Sequence, residues 1–370
     1  MRYRTLGRTG VNVSAIGLGC MMFGGRTSPE DSYEIIDYAL DQGVNFLDTA
    51  NVYNGGRSEE AVGEALKRNG RRNEVLLATK VHGRMSPAPN DLGNSRYHIM
   101  RECEESLRRM QTDHIDLYQL HRPDPDIAID ETLRALDDLI RAGKVLYIGT
   151  SNFGAWQTVE SIWAAKELGL NRFVSDQSPY NMSDRRVERE QIPMCQTYGM
   201  AVIPWSPLGG GGLTGKYART KSTEPQAAGT RFGDETDPGK LQRFSDGVLD
   251  IVDGIKPLAE EKGCTVAQFA LAWLMAQPGV TAPIAGPRTL EQFRDNLGAL
   301  DVTITDEDRA LVDSVNPPGG HVANFFEASF TPNVHRVIFS YARHSARVSS
   351  AYRKQFISWS LTMPVACMKA

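Results

Sequence analysis

The chain lacks any stretch approaching the roughly 18 consecutive apolar residues that a membrane-spanning helix needs. No membrane partner is therefore expected. Its opening decapeptide, MRYRTLGRTG, holds no apolar core and does not read as a secretory signal. Cysteine is scarce: Cys20, Cys103, Cys195, Cys264 and Cys367 are odd in number and scattered through 370 residues. That excludes a disulfide scaffold and a thiolate zinc site, and it points to a reduced, cytoplasmic protein. An excess of one charge is also missing. Lys plus Arg is 41 and Asp plus Glu is 45, a net charge of −4, so nothing electrostatic argues for nucleic acid as a partner. A dinucleotide fingerprint is absent too. Gly17-Leu18-Gly19 begins one, but Met22 stands where the third glycine belongs.

What is present is a repeat. Eight short apolar runs begin at Ile16, Asn45, Val75, His114, Val145, Phe173, Ala201 and Thr281. The first seven starts are separated by 29, 30, 39, 31, 28 and 28 residues, and only the last gap, 80 residues, is long. A strand, a helix and two loops take about 30 residues. The runs are nearly continuously apolar, as strands covered on both faces must be. Helix signals lie between them. Ser28-Pro29-Glu30-Asp31 reads as an N-cap with proline in the first turn, and Thr265 with Gln268, Thr289 with Gln292 and Thr305 with Asp308 read as capping boxes. Eight parallel strand–helix units predict an α/β fold, a (β/α)8 TIM barrel; an open doubly wound sheet is the alternative. Tyr3–Leu6 and Val11–Ser14 flank Gly7-Arg8-Thr9-Gly10, a hairpin placed to plug the barrel's N-terminal end.

Residues 1–331 are assigned to the barrel and 332–370 to a C-terminal tail of unknown structure. Glu327 is the last acidic side chain, and Arg336, Arg343, Arg347, Arg353, Lys354 and Lys369 follow it among many serines. A solvated tail and a basic segment docking on a membrane or partner are both compatible with that pattern. The Gly-, Thr- and Pro-rich stretch from Leu208 to about Asp250 follows the seventh strand, so it is either a flap over a ligand or a surface insertion. Within it, GGGLTGK at 210–216 imitates a phosphate-binding loop. Tyr217 occupies the magnesium-binding position of that motif, and no strand and helix flank it directly, which excludes a nucleoside triphosphatase.

In a barrel of this kind, polar groups at the C-terminal ends of strands carry chemistry. Asp48 ends the second strand with Tyr53 in the following loop, Lys80 ends the third and His121 ends the fourth. Singly, each is an ordinary turn former or solvated polar residue. Together they place a carboxylate, a phenol, an ammonium and an imidazole at one mouth.

These residues, with the motifs DTANVYNGGRSEEAVGEAL, ATKV, IDLYQLHRPD, IGTSNF, QSPYN, IPWSPL and AGPRTLEQFRDNLGAL, resemble the aldo-keto reductase family from about Tyr3 to Pro317. The pattern is closest to the branch that includes potassium-channel β subunits and related oxidoreductases. The resemblance implies a barrel that binds NADP(H), with NAD(H) less favoured, without a Rossmann motif. It implies that Asp48, Tyr53, Lys80 and His121 form the catalytic tetrad. A tyrosine hydroxyl is protonated at neutral pH and can donate, and a neighbouring ammonium stabilises the phenolate left behind. It implies cofactor contacts from Cys20 and Met21, from Ser151, Asn152 and Gln177 to a carboxamide, and from Trp205 to the nicotinamide face. Ser206, Pro207, Leu208, Gly209, Gly210 and Lys216 would wrap the pyrophosphate. Gly286, Arg288, Gln292 and Asn296 would take the adenosine and its 2′-phosphate.

The function so implied is reversible, NADPH-dependent reduction of an aldehyde or ketone, acting on the CH–OH group in reverse. The alternative is a weakly catalytic, cofactor-sensing binding protein of β-subunit type. A Schiff-base lyase using Lys80 would need that lysine unpaired, which Asp48 opposes. The substrate is a small carbonyl compound held among Met21, Met22, Tyr53, His121 and the loop after Leu208, with Val52 and Arg84 nearby. The sequence sets no oligomeric state.

Overall fold

The computed structural model describes residues 1–219, 226 and 229–325. The tail expected beyond residue 331 lies outside the described residues. Among those described, no helix is long and apolar enough to cross a membrane.

Strands β1 (Tyr3–Thr5) and β2 (Asn12–Ser14) form the antiparallel hairpin, with Tyr3 opposite Ser14. Its turn needs glycine. Gly7 has φ +54°, and a Cβ there would meet the Val174 carbonyl oxygen at 2.6 Å. Leu6 and Val13 are fully buried against Phe46, Leu76, Leu117, Val174 and Ile203, all pointing into the barrel. The hairpin thus seals the N-terminal end. Arg4 fastens it by donating to the carbonyl oxygens of Val280 and Met275, each at 2.8 Å.

Eight parallel strands follow: β3 (Gly17–Gly19), β4 (Phe46–Asp48), β5 (Leu76–Val81), β6 (Ile115–Leu120), β7 (Val145–Ser151), β8 (Ser175–Gln177), β9 (Ala201–Val202) and β10 (Ile284–Ala285). Their order is β10-β3-β4-β5-β6-β7-β8-β9. The two ends of that order meet. Val202 bridges Val280, the Thr281 amide donates to the Val202 carbonyl at 2.8 Å, and the Ile284 amide donates to the Pro204 carbonyl at 2.9 Å. The sheet is a closed (β/α)8 barrel, as the repeat predicts.

Helices α1 (Pro29–Asp41), α2 (Arg57–Asn69), α3 (Arg96–Met110), α4 (Ile129–Arg141), α5 (Ala155–Leu168) and α6 (Gln191–Tyr198) follow β3 to β8 in turn. The long connection after β9 holds α7 (Pro238–Leu241), α8 (Asp246–Glu261) and α9 (Val266–Met275); α10 (Leu290–Leu297) follows β10. The last helix, α11 (Asp306–Val315), packs on α8. The caps fall where the sequence puts them. Ser28 accepts from the Asp31 amide, and Thr265–Gln268 and Thr305–Asp308 are reciprocal boxes. Thr289 completes only half a box, because the Gln292 side chain accepts from the Arg288 amide instead. Each such cap stabilises its helix by about 0.5–2 kcal/mol.

The stretch after Leu208 is neither a bare flap nor an unstructured insertion where it is described. Tyr217, Phe232 and Phe244 stack together over Leu249 as a small satellite core.

Candidate active site

A cleft of about 720 Å³ opens at the C-terminal ends of the strands. At its floor lies Lys80, fully buried at the end of β5. Its Nζ donates to Asp48 Oδ1 at 2.5 Å, to the Thr49 carbonyl at 2.8 Å and to the Tyr53 hydroxyl at 3.3 Å. The other Asp48 oxygen accepts from Gln119 Nε2 at 3.0 Å and from Gln177 Nε2 at 2.8 Å. The carboxylate is therefore satisfied on both oxygens, and the ion pair is locked.

Tyr53 starts a short 3-10 turn, Tyr53–Gly56, directly after β4. Two neighbouring networks hold that turn. Asn54, at φ +53°, donates to the carbonyls of Met21 and Phe23. Behind it, Asn51 donates to Glu102 at 3.0 Å, and Arg109 joins Glu102 to Glu59. Asp91, His98 and Glu102 also bring ligand-type atoms within 4.8 Å of one another. Each carboxylate there already faces a guanidinium, Arg101 at 2.8 Å from Asp91 and Arg109 at 3.3 Å from Glu102.

The charges follow from this packing. Burial pushes the Tyr53 hydroxyl up from its ordinary value, and the pull of Lys80 only partly offsets it. The phenol is thus a proton carrier at neutral pH. Burial pulls Lys80 down, but Asp48 and Tyr53 outweigh it, so its ammonium is held above the ordinary value. Burial, with the charges of Lys80 and Arg122, drives His121 well below the usual imidazole range. It is a neutral ring, set edge-on to Tyr53 with centroids 5.6 Å apart.

Around the floor, Ser151 donates to the Gln177 carbonyl at 2.8 Å. Asn152, at φ +61°, spans two walls: its Nδ2 donates to the His121 carbonyl at 3.0 Å, and its Oδ1 accepts from Trp205 Nε1 at 3.1 Å. Cys20, Met21, Ser206, Pro207, Leu208 and Gly210 line the middle of the cleft, and Lys216, Gly286, Arg288, Gln292 and Asn296 line its far end. Gly209 is the exception: it is buried beneath that loop and does not face the cleft. Arg84 also departs from expectation. It is exposed, and its guanidinium turns back onto the Ser86 and Ala88 carbonyls of its own loop.

Sequence reasoning missed several lining residues. Gln119 was legible, because it sits opposite Lys80 in the β5–β6 register and must face the same interior. Arg122 follows His121 directly. Arg26, Arg231, Lys240 and Arg243 come from loops, where no period signals which way a side chain points. Lys216 is pulled down by burial and by the charges of Arg288 and Arg231. Cations gathered this way, with no ion pair to Lys216, Arg231 or Arg288 among the described residues, suit an anionic guest.

Comparison with known proteins agrees with this geometry. The model of the Aldo/keto reductase family matches residues 15–317. The chain is 40% identical over 335 residues to the uncharacterized oxidoreductase YrpG of Bacillus subtilis (strain 168), covering 86% of this chain and 98% of that one. It is 39% identical over 306 residues to a probable voltage-gated potassium channel subunit beta of Arabidopsis thaliana, covering 82% and 92%. It is 34% identical over 338 residues to versiconal hemiacetal acetate reductase of Aspergillus parasiticus, covering 83% and 95%.

Proposed function

The chain belongs to the aldo/keto reductase family, and from that premise we propose that it reduces an aldehyde or ketone to an alcohol with NADPH, using Tyr53 as the proton donor. The carrying observation is the buried Asp48–Lys80–Tyr53 chain beneath neutral His121. The residues present fit a phosphorylated dinucleotide. One end of the cleft gathers Lys216, Arg231 and Arg288, and the other holds an indole and an amide-rich wall. When bound, the dinucleotide supplies hydride to the carbonyl carbon.

The chain's own residues do the rest. His121 hydrogen-bonds the carbonyl oxygen without competing for its proton, because its ring is uncharged. Tyr53 gives its proton to that oxygen as negative charge develops there. Lys80 stabilises the resulting phenolate, and Asp48 keeps Lys80 charged and immobile. In reverse, the phenolate of Tyr53 takes the proton of an alcohol. Trp205 forms a flat wall for the nicotinamide and is itself fixed by Asn152. Arg288 and Gln292, at the start of α10, hold the 2′-phosphate, where a guanidinium and a helix N-terminus both favour an anion.

The similarity to potassium-channel subunits supports a cofactor-sensing alternative. The presence of all four polar groups, in contact, favours catalysis over it. The deciding experiment is a spectrophotometric NADPH-oxidation screen over aldehydes and ketones, run beside Tyr53→Phe. Turnover that Tyr53→Phe nearly abolishes, with NADPH affinity retained, supports the reading; undiminished turnover in that variant refutes it.

A further inference from the structure

We propose that Arg122 and Arg243 form a second anion subsite within the catalytic mouth, and that the substrate is an aldehyde or ketone bearing a carboxylate or phosphate group. This rests on the reductase reading above.

The charge of the cleft is lopsided. Seven lysines and arginines line it against two aspartates, Asp48 and Asp295. Asp48 is consumed by Lys80. Lys216, Arg231 and Arg288 serve the dinucleotide end, and Arg26 acts electrostatically on Arg231 there. Lys240 pairs with Glu235 at 3.6 Å and Asp237 at 3.8 Å. Arg122 and Arg243 are placed differently. Arg122 is the residue after His121 and interacts electrostatically with the Tyr53 hydroxyl. Arg243 is buried, with its guanidinium 5.7 Å from the Trp205 ring centre and 5.4 Å from that of Phe325.

Both arginines are therefore brought into the space beside the reacting groups. Burial pulls both guanidiniums down, Arg243 to about 10, and the two also oppose each other. Glu235 and Asp237 act on Arg243 but are shared with Lys240. A neutral carbonyl compound gives nothing back for gathering like charges at a reaction mouth. A carboxylate or phosphate does, because it accepts the paired hydrogen bonds that a guanidinium fork presents. The remaining mouth residues, Met21, Met22 and Val52, are apolar and suit a short carbon chain between the two ends of such a molecule.

The test uses the wild-type protein with NADPH and two matched pairs: succinate semialdehyde against butanal, and glyceraldehyde 3-phosphate against glyceraldehyde. The expected result is a kcat/KM about 10- to 100-fold higher for the anionic member of at least one pair, carried by KM. Which pair responds identifies carboxylate or phosphate. In Arg122→Met and Arg243→Met the anionic-to-neutral ratio is expected to fall toward one, and Arg243→Lys is expected to keep part of it. A ratio unchanged in both methionine variants overturns the assignment to these arginines. If those variants do not fold, the wild-type ratios decide. Neutral members reduced as well as anionic ones in both pairs would overturn this inference and leave the reductase reading standing. No reduction of any carbonyl would overturn both.

Discussion

Replacing Lys80 with methionine tests the buried pair most directly. The ammonium is fully buried and makes three hydrogen bonds, to Asp48, Thr49 and Tyr53. Methionine fills much of the same volume but removes the charge. Asp48 then keeps the two amides of Gln119 and Gln177 on one oxygen and loses its partner on the other. A buried carboxylate stripped of its cation costs about 3–5 kcal/mol, against at most about 1 kcal/mol for an exposed pair. Lys80→Met is therefore expected to lower the unfolding free energy by about 3–5 kcal/mol in urea titrations. Adding Asp48→Asn removes the orphaned charge while keeping an acceptor for the amides. The double variant is expected to be more stable than Lys80→Met alone, although both lack turnover. Two results would refute the reasoning: a loss under about 1 kcal/mol in the single variant, or a double variant whose losses simply add.

Arg288→Ala is expected to weaken NADPH binding about tenfold or more while changing NADH binding little, since a hydrogen bond to a charged group is worth about 1.5–3 kcal/mol; fluorescence titration of both cofactors checks it, and equal losses would remove the phosphate role. Asp176 is fully buried among Thr150, Ser178 and Gln191, and burial pushes its carboxyl up to about 6. Its folded pKa lies above the unfolded value of about 3.9, so its stabilising contribution is complete below that value and is lost as pH rises through about 6. Asp176→Asn is therefore expected to be more stable relative to wild type at pH 8 than at pH 4, measured by thermal melts at the two pH values. Gly7→Ala is expected to cost about 1–3 kcal/mol, because the left-handed turn and the Val174 carbonyl both oppose a Cβ.

The barrel was legible because its signal is a repeat. Spacing near 30 residues survives any uncertainty about where one strand stops, and β3 to β9 follow it. The tetrad was legible because strand ends share one face of the barrel, so Asp48, Lys80 and His121 needed no tertiary knowledge to be grouped. Gln119 was overlooked because a neutral amide inside a strand looks like any other polar residue until the register sets it against Lys80. Arg231 and Arg243 lie in the 80-residue interval between the last two apolar runs, where neither period nor register applies. Their position depends on the aromatic cluster of Tyr217, Phe232 and Phe244, whose members are far apart in sequence. Gly209 was placed on the cleft by adjacency to Gly210, yet the chain reverses so sharply there that neighbouring glycines face different ways.

Asn152 carries a consequence of its own. One amide, in a backbone conformation few side chains tolerate, braces the imidazole-bearing strand against the indole-bearing one. A shift in either wall is passed whole to the other, so the jaws of this enzyme move in unison and keep their gauge. An aspartate there could not offer the donor, and a leucine could offer neither end. The tolerance of the mouth to drift elsewhere in the barrel is thus set by a strut one side chain long.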